Sequence, residues 1–518
     1  IGTSLDRLNT IMDISYQFSN KLRFGANVTY SQTDRDNHWA SNVRTEAFRK
    51  MPNKSPYWID KTTGERTSQY FAYQTADFEE EFNGGSNYNP IAMAKESINK
   101  SLQSESKLTF RMDYNIIPGL NYSGWASINM RTLKNRRFLP QVVTGVVWTN
   151  KYANQSTDGT SDQMDLQTEN KLVFIKNWNS THNLVATGVF RTSQTQKSSY
   201  SSTTSGNASS DLSDPIVGST VEGIGSGESE VRKISGIGLL NYTLLDRYVA
   251  QFTLTMEGNS AMGRDNRMGY FPTLGLSWNM QNEPFLENTE DWLDESKIRF
   301  SMGQSGRSPS GASLYLGAFS SLGEYMDMSA VYPVGIQLDK LKWETSTEYN
   351  IGWDLALFRN KLRFTFDYYQ KHVSDLLQNN VSIPSSTGYA TLRYFNSGKL
   401  ENTGWEFRTD AVLYEENDWR VGAYINLSRN INKIIEIPTN ITQESYSFGN
   451  GRYATRVEEG LPLGSFFGYR YNGVYQNHES TYASDKDGNV MNDVSGNPIV
   501  MKNGIATVYP GDAMYEDI

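Results

Sequence analysis

The sequence has no cysteine, which excludes disulfides, thiol nucleophiles and cysteine-based metal sites together. Histidine is almost as scarce. His38, His182, His372 and His478 complete the set, and none are spaced like metal ligands. No metal and no cofactor are expected. No window approaches the long apolar run of a membrane helix, and mean hydropathy is −0.57. That removes a helical membrane protein but leaves a membrane barrel open, because barrel strands are apolar on one face only. A net charge of −9 without a basic stripe gives no footprint for nucleic acid. Catalytic residues are not expected either, since no nucleophile elbow or other catalytic constellation stands out. Glu415-Glu416 and Glu458-Glu459 read as solvated turn carboxylates. Asp485-Lys486-Asp487-Gly488-Asn489 begins like a calcium loop but lacks the later glutamate, so it reads as a hairpin turn.

Aromatics, by contrast, make up 13% of the chain, with 31 tyrosines. They suit strands and membrane interfaces. The clearest pattern lies between Glu348 and Lys371. Tyr349, Ile351, Trp353, Leu355 and Leu357 alternate with Glu348, Asn350, Asp354 and Ala356. After a turn at Phe358-Arg359-Asn360-Lys361, Leu362, Phe364, Phe366 and Tyr368 alternate with Arg363, Thr365, Asp367 and Tyr369. Period-two alternation on both sides of a tight turn predicts a β-hairpin. Each strand holds its pattern for about ten residues, long enough to cross a bilayer at a tilt.

The same unit recurs along residues 1–518. Hairpins are predicted around turns at Ser19-Asn20-Lys21, Pro118-Gly119 and Asn179-Ser180. Others lie between Leu244 and Tyr248, between Met280 and Lys297, and across Glu415-Glu416-Asn417-Asp418. With the 348–371 hairpin this makes about fourteen strands, with further strand-like segments after Gly464. Short and long connections alternate. Long ones are expected near 33-104, 132-165, 194-228, 304-343, 372-393 and 435-462, and the Ser/Thr/Gly-rich 194–228 tract reads as a mobile loop. An up-and-down meander therefore collects short turns at one rim and long loops at the other, as outer-membrane barrels do. Phe18, Tyr114, Trp178, Phe358, Tyr414 and Trp419 would form an aromatic girdle at the short-turn rim. Alternation alone does not separate such a barrel from a soluble sandwich; strand length, meander order and one-sided loops favour the barrel. Charges facing the lumen by parity (Arg111, Arg131, Asp354, Arg363, Asp367, Arg408, Asp410, Arg420) read as ion pairs along the wall. Trp39, Tyr57, Trp58, Tyr70 and Tyr73, in the longest loop, are the candidates for contact with substrate or a lid. Loop-to-loop packing is the competing reading for each of them.

Several stretches together resemble the SusC/RagA family of TonB-dependent outer-membrane transporters. They are GRDNRMGYFP at 263–272, then Trp278, Glu283-Pro284-Phe285 and KIRFSMGQSG at 297–306. Trp343-Glu344-Thr345-Ser346, Tyr368-Tyr369, Asp375-Leu376-Leu377, Pro384-Ser385-Ser386-Thr387-Gly388 and Asn402-Thr403-Gly404-Trp405-Glu406 follow in order. Gly460-Leu461-Pro462-Leu463-Gly464-Ser465-Phe466, through Tyr475, closes the series. The resemblance implies an all-β, transmembrane, antiparallel up-and-down barrel of about 22 strands, the class whose lumen is plugged. It implies location in the outer membrane of a Gram-negative bacterium and contact with outer-membrane lipid. It further implies a SusD-like surface lipoprotein as lid, import of an oligosaccharide or peptide substrate, and energy delivered by TonB. A dimer of transporter–lipoprotein pairs is an assembly it allows. The sequence shows no plug, no TonB box and no terminal aromatic strand, and is expected to be an internal piece of the barrel. The alternative of another class is a non-transporting cell-surface β-protein that binds glycans through its loop aromatics.

Overall fold

The computed structural model describes residues 3–50, 52, 55–71, 88–146, 148–151, 153–179, 181–326, 328–416, 418–437, 454–467, 469–474, 489–497 and 513–517. Tyr73, Ser180, Asn417, Tyr475 and 485–488 lie outside them. Fourteen strands form one antiparallel sheet: β1 (Ser4–Ser19), β2 (Leu22–Asp36), β3 (Ile98–Ile117), β4 (Leu120–Leu139), β5 (Gln155–Trp178), β6 (His182–Ser205) and β7 (Thr220–Leu244) come first. β8 (Tyr248–Asn259), β9 (Met268–Asn279), β10 (Leu293–Arg307), β11 (Glu344–Leu357), β12 (Leu362–Ser374), β13 (Lys399–Glu416) and β14 (Trp419–Glu436) complete it. Every strand pairs with its neighbours in sequence, so the sheet is a pure meander with β1 and β14 as its edges among the described residues.

Residues opposite one another in an antiparallel pair share a face, so register traces each face across the sheet. One row runs Leu22–Tyr114–Tyr122–Leu172–Gly188–Gly238–Leu254–Pro272 over eight strands. The opposite face runs Ser277–Arg299–Gly352–Asp367–Glu406–Ser428 over six. Large side chains on the apolar face, among them Phe110, Phe252, Phe300, Trp353 and Phe366, are exposed rather than packed under a second layer. An apolar face of that extent needs an apolar solvent, and lipid supplies it. On β4 the row from Leu120 to Met130 spans about 34 Å of strand, or about 26 Å of height at a 40° tilt. This is the wall of a transmembrane barrel, and the soluble sandwich is set aside.

The polar face closes on itself through ion pairs, as the parity argument expects. Arg299 donates Nε and Nη2 to Asp354 (2.7 and 2.9 Å) and Nη1 to Asp367 (3.1 Å). Arg408 meets Asp410 at 2.7 Å, Arg131 meets Glu105 at 3.1 Å and Arg420 meets Glu415 at 3.5 Å. Arg363 donates to the Asn360 side chain at 2.6 Å. Arg111 instead lines a polar hollow with Asp13, Arg23, Lys107 and Asp113.

Gly352 makes the Arg299 pair possible. It lies in register between Arg299 and Asp367, and a Cβ there would fall 2.5 Å from an Asp367 carboxylate oxygen and 2.7 Å from the Arg299 guanidinium. Gly352→Val is expected to destabilise the barrel by about 1–3 kcal/mol by overpacking. Gly188→Val, on the lipid face with open space at its Cβ, should be near neutral. Urea unfolding in detergent compares them, and equal losses would remove the special role of Gly352.

Two expectations need correction. The strands reach far into the predicted loops: β6 continues to Ser205 and β7 starts at Thr220, so the tract 194–228 is mostly strand and only 206–219 connects. Its hydroxyls serve the sheet; Thr157 and Thr203, for example, hydrogen-bond across β5 and β6 at 3.0 Å. The connection itself is tied down by Asn154, which is fully buried with φ 52°. Asn154 Nδ2 donates to the Asn207 carbonyl (2.8 Å), and its Oδ1 accepts from the Gln141 amide (2.7 Å) and the Ser210 hydroxyl (3.1 Å). Likewise β2, β3, β4, β5, β10 and β12 extend into the other predicted loops, leaving connections 37–97, 140–154, 308–343 and 375–398. The second correction is local. In the hairpin across 415–418 the alternating row Trp405, Phe407, Ala411, Leu413 is expected to continue unbroken, but a bulge between Val412 and Tyr414 sets Tyr414 opposite Val421 and ends it before Leu413.

Candidate functional site at the long-loop rim

The connection 37–97 builds a small folded unit over one rim. It contains α1 (Ala40–Arg49), a hairpin pairing Tyr57–Ile59 with Arg66–Tyr70, and α2 (Pro90–Glu96). α3 (Gln141–Thr144), from the next connection, joins them. Val43, Ala92, Met93 and Val143 form its buried core, with Trp39, Tyr70 and Tyr88 packed around it. A loop of this length can bury a core of its own, and the described parts of the excursion do so.

Asn89 is the joint of the unit and is 1% exposed. Its Oδ1 caps α2 by accepting from the amides of Ile91 (3.0 Å) and Ala92 (3.1 Å). Its Nδ2 donates to the carbonyls of Pro56 (2.7 Å) and Phe71 (3.1 Å), at the two ends of the hairpin. Its own amide donates to the Val143 carbonyl beside α3 at 3.1 Å. Sequence reasoning passed over it, although Asn-Pro ahead of an apolar stretch is a helix-start signal.

Four of the predicted aromatics, Trp39, Tyr57, Trp58 and Tyr70, gather here with different duties, and Tyr73 lies outside the described residues. Tyr57 and Tyr70 stack at 5.4 Å, and the Arg66 guanidinium lies 3.8 Å over the Tyr57 ring. The Tyr70 hydroxyl donates to Glu96 at 2.7 Å. Burial first, and then that carboxylate, push the Tyr70 phenol well above its ordinary range, so it remains a donor. Trp58 packs on Phe71 at 4.8 Å. Trp39 donates Nε1 to the Ile98 carbonyl at 2.9 Å and so ties α1 to the start of β3. All four are half-buried, so each has a packing role and each keeps an accessible edge. Phe48 on α1 adds a ring that is 85% exposed, which no periodicity in the sequence marked.

The resemblance-bearing motifs occupy framework positions instead. Phe271 of the first stretch packs with Met262, just before that stretch, and with Trp343, edge-on to the latter at 5.6 Å. A Cβ on Gly263 would fall 2.1 Å from the Asp339 carbonyl, so only glycine fits that crossing. Near the opposite rim, Glu283 accepts from the Tyr248 hydroxyl and from Trp278 Nε1 at 2.9 Å, while Arg247 stands 3.4 Å away. These hydrogen bonds hold the Glu283 carboxyl below its ordinary value.

A family model described as TonB dependent receptor-like, beta-barrel matches residues 3–500. The chain belongs to this family. It is an outer-membrane β-barrel protein, of a family of receptors rather than enzymes. It is 25% identical to TonB-dependent receptor P3 of Formosa agariphila over 96% of this chain and 50% of that protein. It is 31% identical to TonB-dependent receptor SusC of Bacteroides thetaiotaomicron over 54% of this chain and 28% of that one. Its fold matches the RagAB peptide transporter at TM-score 0.72 and 17% identity, covering 98% of this chain and 54% of the other. The chain thus spans about half the length of receptor P3 and of the RagAB chain that it matches.

Proposed function

We propose that the chain forms wall and mouth of an active importer of oligosaccharides or peptides. A SusD-like lipoprotein covers the mouth, and TonB supplies the energy. The observation that carries this reading is the folded unit over the long-loop rim, with its half-buried aromatics, on a barrel related to SusC. A mere strand connection has no need of a core, two helices and stacked tyrosines; a surface that holds a ligand or a lid does. Trp39, Tyr57, Trp58, Tyr70 and Tyr73 supply rings for sugar faces or peptide side chains in this reading, and Phe48 extends the surface. Replacing Trp58 and Tyr70 together with Ala should cut uptake or lid affinity at least several-fold, with the barrel still folded by heat-shifted gel mobility. Unchanged uptake together with unchanged lid affinity would place the binding surface elsewhere.

A further inference from the structure

Above the apolar band, β2 to β7 carry a second surface on their lipid-side parity, where charged and hydroxyl side chains stand among Leu102, Tyr200 and Ile224. Register aligns Asp34, Leu102, Lys134, Thr160, Tyr200 and Ser226 in one row. The next row aligns Asp36, Lys100, Arg136, Asp158, Ser202 and Ile224. Apart from Asp36, these rows line a hollow of about 640 Å³. On β4 the lipid-side parity runs Ile128, Met130, Thr132, Lys134, Arg136, so the hollow opens four residues past the last apolar side chain. That is about 14 Å along the strand, or about 10 Å above the hydrocarbon at the usual tilt.

Its chemistry is mixed in a particular way. Lys100 stands 3.6 Å from Asp36. Among the described residues Lys134 and Arg136 have no carboxylate within ion-pair distance, although Asp158 stands directly across from Arg136, and Arg136 donates to the Ser213 hydroxyl at 3.1 Å. Both cations are exposed. Tyr200 is 62% exposed and offers a bare ring beside them. Asp34 and Asp158 supply acceptors, and Ser201, Ser202 and Ser226 supply hydroxyls.

We propose that this hollow binds the phosphorylated sugar headgroup of an outer-leaflet glycolipid. Lys134 and Arg136 take the phosphate, a sugar ring lies on Tyr200, and the aspartates accept from sugar hydroxyls or amines. The acyl chains then run down the apolar face directly below, which is the feature a free sugar phosphate could not use. A purely cationic patch would suit any anion; carboxylates, an aromatic face and exposed cations together suit a phosphorylated sugar.

The test uses the full-length detergent-solubilised protein, stripped of lipid and then incubated with purified lipopolysaccharide, with retained lipid read by mass spectrometry. Lys134→Gln/Arg136→Gln should retain at least five-fold less, and Lys134→Arg/Arg136→Lys should retain about as much as the parent protein. Lys197→Gln, exposed on the lumen-side parity of β6, should also match the parent. Dephosphorylated lipopolysaccharide should bind several-fold more weakly, and millimolar inorganic phosphate should not displace the intact lipid. Undiminished retention by the double glutamine variant would overturn the proposal. So would an equal loss in Lys197→Gln, or complete displacement by inorganic phosphate, which would make the hollow a free-anion site.

Discussion

Phe366→Arg is expected to destabilise the barrel by roughly 2–4 kcal/mol, while Thr365→Arg, one residue away, costs little. The two positions differ only in face. Phe366 pairs with Trp353 on one side and Phe407 on the other, within the exposed apolar row. A guanidinium placed there at mid-membrane must shed water or drag it into the hydrocarbon. Thr365 pairs with Asp354 and Arg408, on the face where Arg299, Asp367 and Asp410 already form ion pairs. An arginine there meets water and a carboxylate. Urea unfolding of the two variants in lipid vesicles measures the difference, and equal destabilisation would contradict the assignment of faces.

That asymmetry also explains how much of the fold could be read beforehand. Where one face meets lipid and the other meets charge, the code is strict. The 348–371 hairpin, its turn and the identity of all fourteen sheet strands follow from it. Phe358, Arg359 and Asn360 adopt left-handed conformations at that turn, although only Asn360 announces one. Beyond the apolar band both faces of a strand are wet, and alternation has nothing to record. Residues 194–205 and 220–228 are therefore strand by pairing while loop by composition. The Tyr414 bulge was hidden for a related reason, since one inserted residue leaves composition unchanged and only shifts the phase.

The rim unit was legible in its aromatics but not in its wiring. Composition marked Trp39, Tyr57, Trp58 and Tyr70 because rings in a polar loop are conspicuous. It could not show that Tyr70 is half structural, held by Glu96 and stacked on Tyr57, because those partners come from different segments of the loop. Packing and ligand contact draw on the same residue types, so only geometry divides the roles.

The wiring carries the second large effect, expected for Asn89→Ala. The substitution removes a helix cap worth about 1 kcal/mol. It also removes the Asn89 donor from the Pro56 and Phe71 carbonyls, each bond worth on the order of 1 kcal/mol, although the Phe71 amide still donates to the Pro56 carbonyl. A combined loss of about 2–4 kcal/mol exceeds what a four-residue apolar core holds in reserve, so the unit should open while the barrel stays folded. Hydrogen exchange should then rise by at least tenfold across α1, α2 and the 57–71 hairpin, with β3 and β4 still protected below Met130. Asn89→Asp divides the two contributions: its carboxylate can still cap α2, but it cannot donate to Pro56 and Phe71. That variant should keep α2 protected and release the hairpin alone. If uptake depends on the rim as proposed, both variants lose it, Ala more than Asp. Parent-like exchange in Asn89→Ala would mean that the apolar cluster of Val43, Ala92, Met93 and Val143 holds the rim without its polar joint.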